Sequence, residues 1–213
     1  MILPAQYGSL RCLVSVPLGH STNTKLWPVL CFLHGFREAA PLDIEVALTR
    51  HGPLNPASAP EATDSFVVVA PQLPPPGGKI WGAHEGEVKQ VLDGAAQAYR
   101  GDPARLYLTG FSYGGDGVLD LAPRMRSVWA ALWAVDPTSV PQLSAGRPTW
   151  LSAGEYARQQ KQTLVDRLGV HEVRGDSTGD YVYRDPGLNH VETATQAYAD
   201  SAIYKWLLAR LLR

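Results

Sequence analysis

A serine between two glycines is the first feature of this sequence with chemistry in it. Gly110-Phe111-Ser112-Tyr113-Gly114 directly follows an apolar run, Arg105 to Thr109, and directly precedes a helical stretch from about Tyr113 to Ala122. A serine hydroxyl is a weak nucleophile until a neighbouring base takes its proton. A sharp strand-to-helix turn presents the hydroxyl clear of the backbone, and flanking glycines avoid the clashes that such a turn creates. The helix that follows points backbone N–H groups at a developing oxyanion. The competing reading is a tight turn with an incidental serine. The strand before it and the helix after it argue for a nucleophile.

The base expected from the sequence is His190, placed after the last expected strand and before the last helix. Such an imidazole takes the serine proton and returns it to the leaving group. The other five histidines fit worse. His20, His51 and His84 fall in loops, His34 belongs to a His-Gly turn, and His171 precedes the last strand. A surface histidine is the plainer reading of position 190.

These elements require a scaffold. Apolar, β-branched runs alternate with longer helical stretches, which predicts an α/β fold with a mostly parallel central sheet and helices on both faces. Strands are expected at Leu10 to Val16, Pro28 to Leu33, Phe66 to Ala70, Arg105 to Thr109, near Trp129 to Val135, Thr149 to Ser152 and Tyr181 to Arg184. Helical spacing runs through Val88, Val91, Leu92, Ala95 and Tyr99, and Asp102-Pro103 ends that helix. Further helices are expected near Gln159 to Leu168 and from about Thr193, the latter with Ile203, Trp206, Leu207 and Leu211 on its core side. Trp129, Trp133 and Trp150 are expected in the core. Residues 1–213 read as one domain, without repeats or a dividing linker.

The motifs resemble a known family. Arg105-Leu-Tyr-Leu-Thr-Gly-Phe-Ser-Tyr-Gly-Gly-Asp-Gly117 is similar to the nucleophile elbow of α/β-hydrolase serine esterases, notably the polyhydroxybutyrate-depolymerase-like and predicted-peptidase group. Gly187-Leu-Asn-His190, Tyr198-Ala-Asp200 and Ile203-Tyr-Lys-Trp-Leu-Leu208 resemble that group's C-terminus. His34-Gly35-Phe36 resembles its oxyanion turn, which implies the backbone N–H groups of Phe36 and Tyr113 as oxyanion donors. The resemblance implies an α/β-hydrolase fold with a minimal lid or none, and a serine esterase.

The third triad member departs from the family pattern. Relatives often place Asp three residues after the glycine ending the seventh strand, and here Ala157 stands three residues after Gly154. Two acids remain. Asp136, in Val135-Asp136-Pro137, ends the sixth strand, where pancreatic-type lipases carry their acid in a similar Asp-Pro context. Glu155 follows Gly154. Asp136 is preferred because a strand-end carboxylate sits on rigid backbone and preserves the order Ser112, Asp136, His190. A turn or helix cap is its structural alternative.

The loop Pro71-Gln-Leu-Pro-Pro-Pro-Gly-Gly-Lys-Ile-Trp-Gly-Ala-His84 leaves the carboxyl end of a central strand, where open α/β sheets bind ligands. Trp81 and His84 are therefore expected to line a substrate pocket, against the alternative of a packed, proline-rich surface loop.

Composition narrows the partners. Lys plus Arg number 19 and Asp plus Glu 20, for a net charge of -1. No basic field exists to hold a nucleic-acid backbone. The N-terminus lacks the pattern of a secretory leader and the apolar runs are strand-length, so a cytoplasmic protein off the membrane is expected. Cys12 and Cys31 read as buried thiols, with a bond between neighbouring strands left open. No Walker loop, dinucleotide fingerprint or metal spacing appears, so no cofactor and no metal are expected. The expected partner is a small-molecule ester with a small or extended acyl group. A peptidase or amidase on the same groups and a non-catalytic binding protein on a hydrolase scaffold are the alternatives.

Overall fold

Among the residues described by the computed structural model (1–78, 80–174 and 178–212), nine strands form a single sheet. They are β1 (Ile2–Tyr7), β2 (Leu10–Ser15), β3 (Trp27–Leu33), β4 (Val67–Pro71), β5 (Gly101–Phe111), β6 (Ala131–Val135), β7 (Thr149–Ser152), β8 (His171–Glu172) and β9 (Tyr181–Arg184). Their spatial order is β1-β2-β4-β3-β5-β6-β7-β9-β8. The β1–β2 and β2–β4 pairs are antiparallel, and every other pair is parallel. The helices are α1 (Ile44–Leu48), α2 (Glu61–Ser65), α3 (Glu85–Ala98), α4 (Tyr113–Leu121), α5 (Glu155–Gln159), α6 (Lys161–Leu168), α7 (His190–Tyr198) and α8 (Ser201–Leu208).

Parallel strands covered on both faces bury both sets of side chains, which is why β3, β4 and β6 are apolar without alternation and β7 is buried along its whole length. Val29, Cys31 and Leu33 of β3 face a core shared with Val88, Val91 and Leu92 of α3 and Val118 of α4. Leu30 and Phe32 face the other side, with Ile44 of α1 and Ile203, Trp206 and Leu207 of α8. Trp129, Trp133 and Trp150 are all buried. No helix of the described residues is long and apolar enough to cross a membrane.

Several expectations are corrected. The N-terminal residues form β1, joined to β2 through a two-residue turn in which Gly8 takes φ 61°. Asp102-Pro103 does not precede the fifth strand but lies inside it, opposite an irregularity in the β3–β5 register. A proline is tolerated in a strand at such a place. The last helix is two helices, because the Asp200 carboxylate caps a fresh start at the Ala202 amide. Leu211 then lies beyond α8 and is exposed. Cys12 and Cys31 are free, buried thiols on strands separated by β4.

Candidate active site

The carboxyl ends of β3, β5, β6, β7 and β9 meet along one edge of the sheet, and each sends a loop into the same region. The loop after β5 carries Ser112, whose backbone adopts φ 58°, ψ −121°. A non-glycine residue rarely occupies that region, and the surroundings must hold it there. They do so through the Ser112 N–H, which donates to the Val135 carbonyl at 3.0 Å, and the Ser112 carbonyl, which accepts from Asp116 N at 3.0 Å. Gly114 and Gly115 let α4 lie directly against backbone. A Cβ at position 114 would strike the Leu33 carbonyl, and one at 115 would come within 2.9 Å of the Val135 carbonyl.

Asp136 leaves β6 with φ 39°, also in the left-handed region, and is completely buried. Its Oδ1 accepts the N–H groups of Gly154 at 3.0 Å and Ala157 at 2.8 Å, across from the end of β7. Its Oδ2 accepts from Tyr156 N at 3.3 Å and lies 2.6 Å from His190 Nδ1. Asp116, buried in α4, ties down the segment just after the acid. It accepts from the amides and hydroxyls of both Thr138 and Ser139, at 2.6 to 3.0 Å.

His190 opens α7. Asn189 caps that helix through Glu192 N at 3.0 Å, and the Glu192 carboxylate reaches back to Asn189 N at 3.3 Å, a reciprocal cap that fixes where the helix begins. Arg158 grips Asp185 through two nitrogens and the Leu188 carbonyl at 3.0 Å, pinning the loop before it. The imidazole packs against Phe111, with centroids 4.4 Å apart, and near-perpendicular to Tyr156, with centroids 4.7 Å apart. Glu155 meets His190 only at its main chain, where Oε2 accepts the amide at 3.4 Å. The ring nitrogen's carboxylate partner is Asp136.

The turn after β3 is clamped from three sides. The His34 carbonyl accepts the Trp81 indole N–H at 3.0 Å, and the Gly35 N–H donates to Glu38 Oε2 at 2.8 Å. The His34 Nε2 accepts Leu73 N–H at 3.0 Å, so its Nδ1 carries the proton and donates to the Gly35 carbonyl at 2.8 Å. Burial pushes this imidazole's pKa down to about 4, which keeps it in that neutral form. A trans peptide points its N–H opposite its carbonyl. With the Gly35 carbonyl held toward His34, the Phe36 N–H is aimed away from that ring. Among the described residues neither Phe36 N nor Tyr113 N has an acceptor. Gly35 also lies against the serine, since a Cβ there would sit 3.2 Å from Ser112 Cβ.

These groups surround a cleft of about 440 Å³ whose walls include Gly35, Phe36, Ser112, Tyr113, Tyr156 and His190. Ser112 is 6% exposed at its base.

Solved structures share the fold that carries these residues. A thermostable esterase superposes over 99% of this chain with TM-score 0.67 at 16% identity, and the chain spans 62% of that esterase's length. An S-formylglutathione hydrolase from Staphylococcus aureus matches over 98% of this chain and 96% of its own, TM-score 0.69, at 13% identity. A feruloyl esterase module from Clostridium thermocellum matches over 96% of this chain and 87% of its own, TM-score 0.67, at 13% identity. No protein-family model and no curated protein matches the sequence. The chain has the α/β-hydrolase fold.

Within that α/β-hydrolase frame, Ser112, His190, Phe36 and Tyr113 line one cleft and the buried Asp136 meets His190 Nδ1 at 2.6 Å, whereas Trp81 and His84 are not among the cleft's lining residues. Trp81 is 1% exposed, packed edge-on to His34 at 5.0 Å and against Gly117 of α4. Its large apolar ring turns inward, and it serves the His34 carbonyl from behind. His84 ends the 3-10 turn before α3 and faces Glu87, 3.5 Å away. Sequence reasoning missed Glu38 and His51, which also line the cleft. The only available signal was Glu38 standing three residues after Gly35, close enough in sequence to hydrogen-bond its amide. Among the described residues, no group of three or more His, Cys, Asp or Glu is placed to hold a metal ion.

Proposed function

We propose that this chain is a serine hydrolase that cleaves carboxylic esters through an acyl-Ser112 intermediate. The observation that carries the reading is the 2.6 Å contact of a fully buried Asp136 with His190 Nδ1, at the wall of the cleft that holds a strained Ser112. The buried carboxylate holds the imidazole with Nε2 free to act as a base and stabilises the imidazolium that follows. Ser112 Oγ attacks the ester carbonyl carbon while His190 takes its proton. The carbonyl electrons move onto oxygen, which the Phe36 and Tyr113 N–H groups receive. Collapse breaks the bond to the alcohol, and His190 returns the proton to that leaving oxygen. Water activated by the same imidazole then attacks the acyl-serine, releasing a carboxylic acid and restoring the hydroxyl.

The binding-protein alternative drew on the missing Asp three residues after Gly154. Asp136 supplies a carboxylate to the imidazole from the neighbouring strand end, which favours catalysis. Amide hydrolysis would use the same groups.

The test is hydrolysis of p-nitrophenyl acetate and butyrate, with a p-nitroanilide in parallel, by wild type and Ser112→Ala. The expected result is ester turnover by wild type that Ser112→Ala lacks. Equal rates from the two proteins would end the serine-hydrolase reading.

A further inference from the structure

Glu38 has no part in the triad, yet it is 2% exposed in the wall of the catalytic cleft. Burial raises its carboxyl to about 7, partly offset by the Gly35 amide and the Arg50 charge. Its second oxygen lies 3.6 Å from His51 Nε2. Burial, then the charges of Arg50 and His190, lowers that imidazole to about 4, so at neutral pH the contact is no fixed ion pair. A buried carboxyl with such weak charge compensation costs stability that an apolar side chain of similar size would not. Groups kept at such a cost cluster at functional sites.

What Glu38 does hold is the Gly35 N–H, at 2.8 Å. The two peptide units flanking Gly35 present four polar groups. Trp81 holds the His34 carbonyl, Glu38 the Gly35 N–H and His34 the Gly35 carbonyl. The fourth is the Phe36 N–H. Without Glu38, the 34–35 peptide is held at its carbonyl alone and can rock about it, carrying the next peptide with it.

Building on the serine-hydrolase reading, we propose that Glu38 is a positioning residue for ester hydrolysis, holding the Gly35 amide so that the Phe36 N–H meets the transition-state oxyanion. An amide that matters chiefly in the transition state affects kcat rather than substrate binding.

The experiment compares wild type, Glu38→Met, Glu38→Gln and a Ser112→Ala blank on p-nitrophenyl butyrate, with thermal melts of each. Methionine keeps the length and apolar packing but offers no comparable acceptor, whereas glutamine keeps an acceptor oxygen for Gly35. The expected result is that Glu38→Met loses about 10- to 100-fold in kcat, as for a misplaced catalytic group. Its KM should stay within about threefold, and Glu38→Gln should recover kcat to within about fivefold of wild type. Three results overturn the proposal: Glu38→Met turning over as wild type does, a loss confined to KM, or equal losses in Met and Gln. A kcat loss that merely follows the unfolded fraction in the melts overturns it too. Failure of the parent reading looks different, because wild type would then match the Ser112→Ala blank.

Discussion

Asp136 Oδ2 and His190 Nδ1 lie 2.6 Å apart although 54 residues separate them in the chain. Two strand ends and a reciprocally capped helix bring them together. Asp136→Asn keeps the shape but offers the imidazole an amide in place of a charge, and is expected to cost about 10³- to 10⁴-fold in kcat. Glu155→Gln, whose contact is with the His190 main chain, should stay within about threefold of wild type. Side-by-side kinetics on p-nitrophenyl acetate decide it. A larger loss in the glutamate variant would move the acid to position 155.

Trp81 was expected in a substrate pocket and instead stands behind the His34-Gly35 turn. Trp81→Phe keeps most of the buried ring but removes the N–H that holds the His34 carbonyl. We expect kcat to fall roughly tenfold with KM nearly unchanged, the signature of a displaced catalytic group. A shift in KM with kcat intact would return Trp81 to the substrate.

Glu38 and the two lowered histidines make opposite contributions to stability as pH changes. The folded protein holds the Glu38 proton up to about pH 7, against 4.5 for an ordinary glutamate. Its contribution is therefore fully present below about pH 4.5 and lost as pH rises to about 7, a change of roughly 3 kcal/mol. Arg50, His51 and Tyr198 are the ionisable groups near it. His34 and His51 are held neutral down to about pH 4, so their contribution is full above about 6.5 and is lost as pH falls toward 4. Urea unfolding of wild type and Glu38→Met at pH 5 and pH 8 isolates the glutamate. The variant should gain on wild type as pH rises, and a difference independent of pH would refute the burial account.

The sequence announced most of the frame because buried parallel strands need unbroken apolar runs. Val67–Pro71 and Ala131–Val135 are such runs, and Thr149–Ser152 and Tyr181–Arg184, though partly polar, are strands with the expected boundaries. Where two patterns overlap, the reading failed. The apolar spacing of the last helix runs on through Ala199 and Asp200, and only the capping role of Asp200 shows that the chain breaks there. The meeting of Ser112 and His190 at one cleft was legible because a G-x-S-x-G turn and a histidine before the last helix are local patterns. The acid was left between two residues, since the choice depends on which carboxylate points across the sheet edge. Trp81 was misplaced for the same reason: its loop leaves the ligand-binding end of the sheet, but the ring folds back under α4. The clamp on the Gly35 turn joins His34 and Glu38 of one loop to Leu73 and Trp81 of another, and no spacing in the sequence encodes that meeting of two loops.

The most direct measurement of the central claim is intact mass after reaction with a fluorophosphonate, followed by peptide mapping. The account predicts one adduct on wild type, mapped to Ser112, absent from Ser112→Ala and slowed by orders of magnitude in His190→Gln. An unlabelled wild type, or an adduct that survives Ser112→Ala, would contradict it.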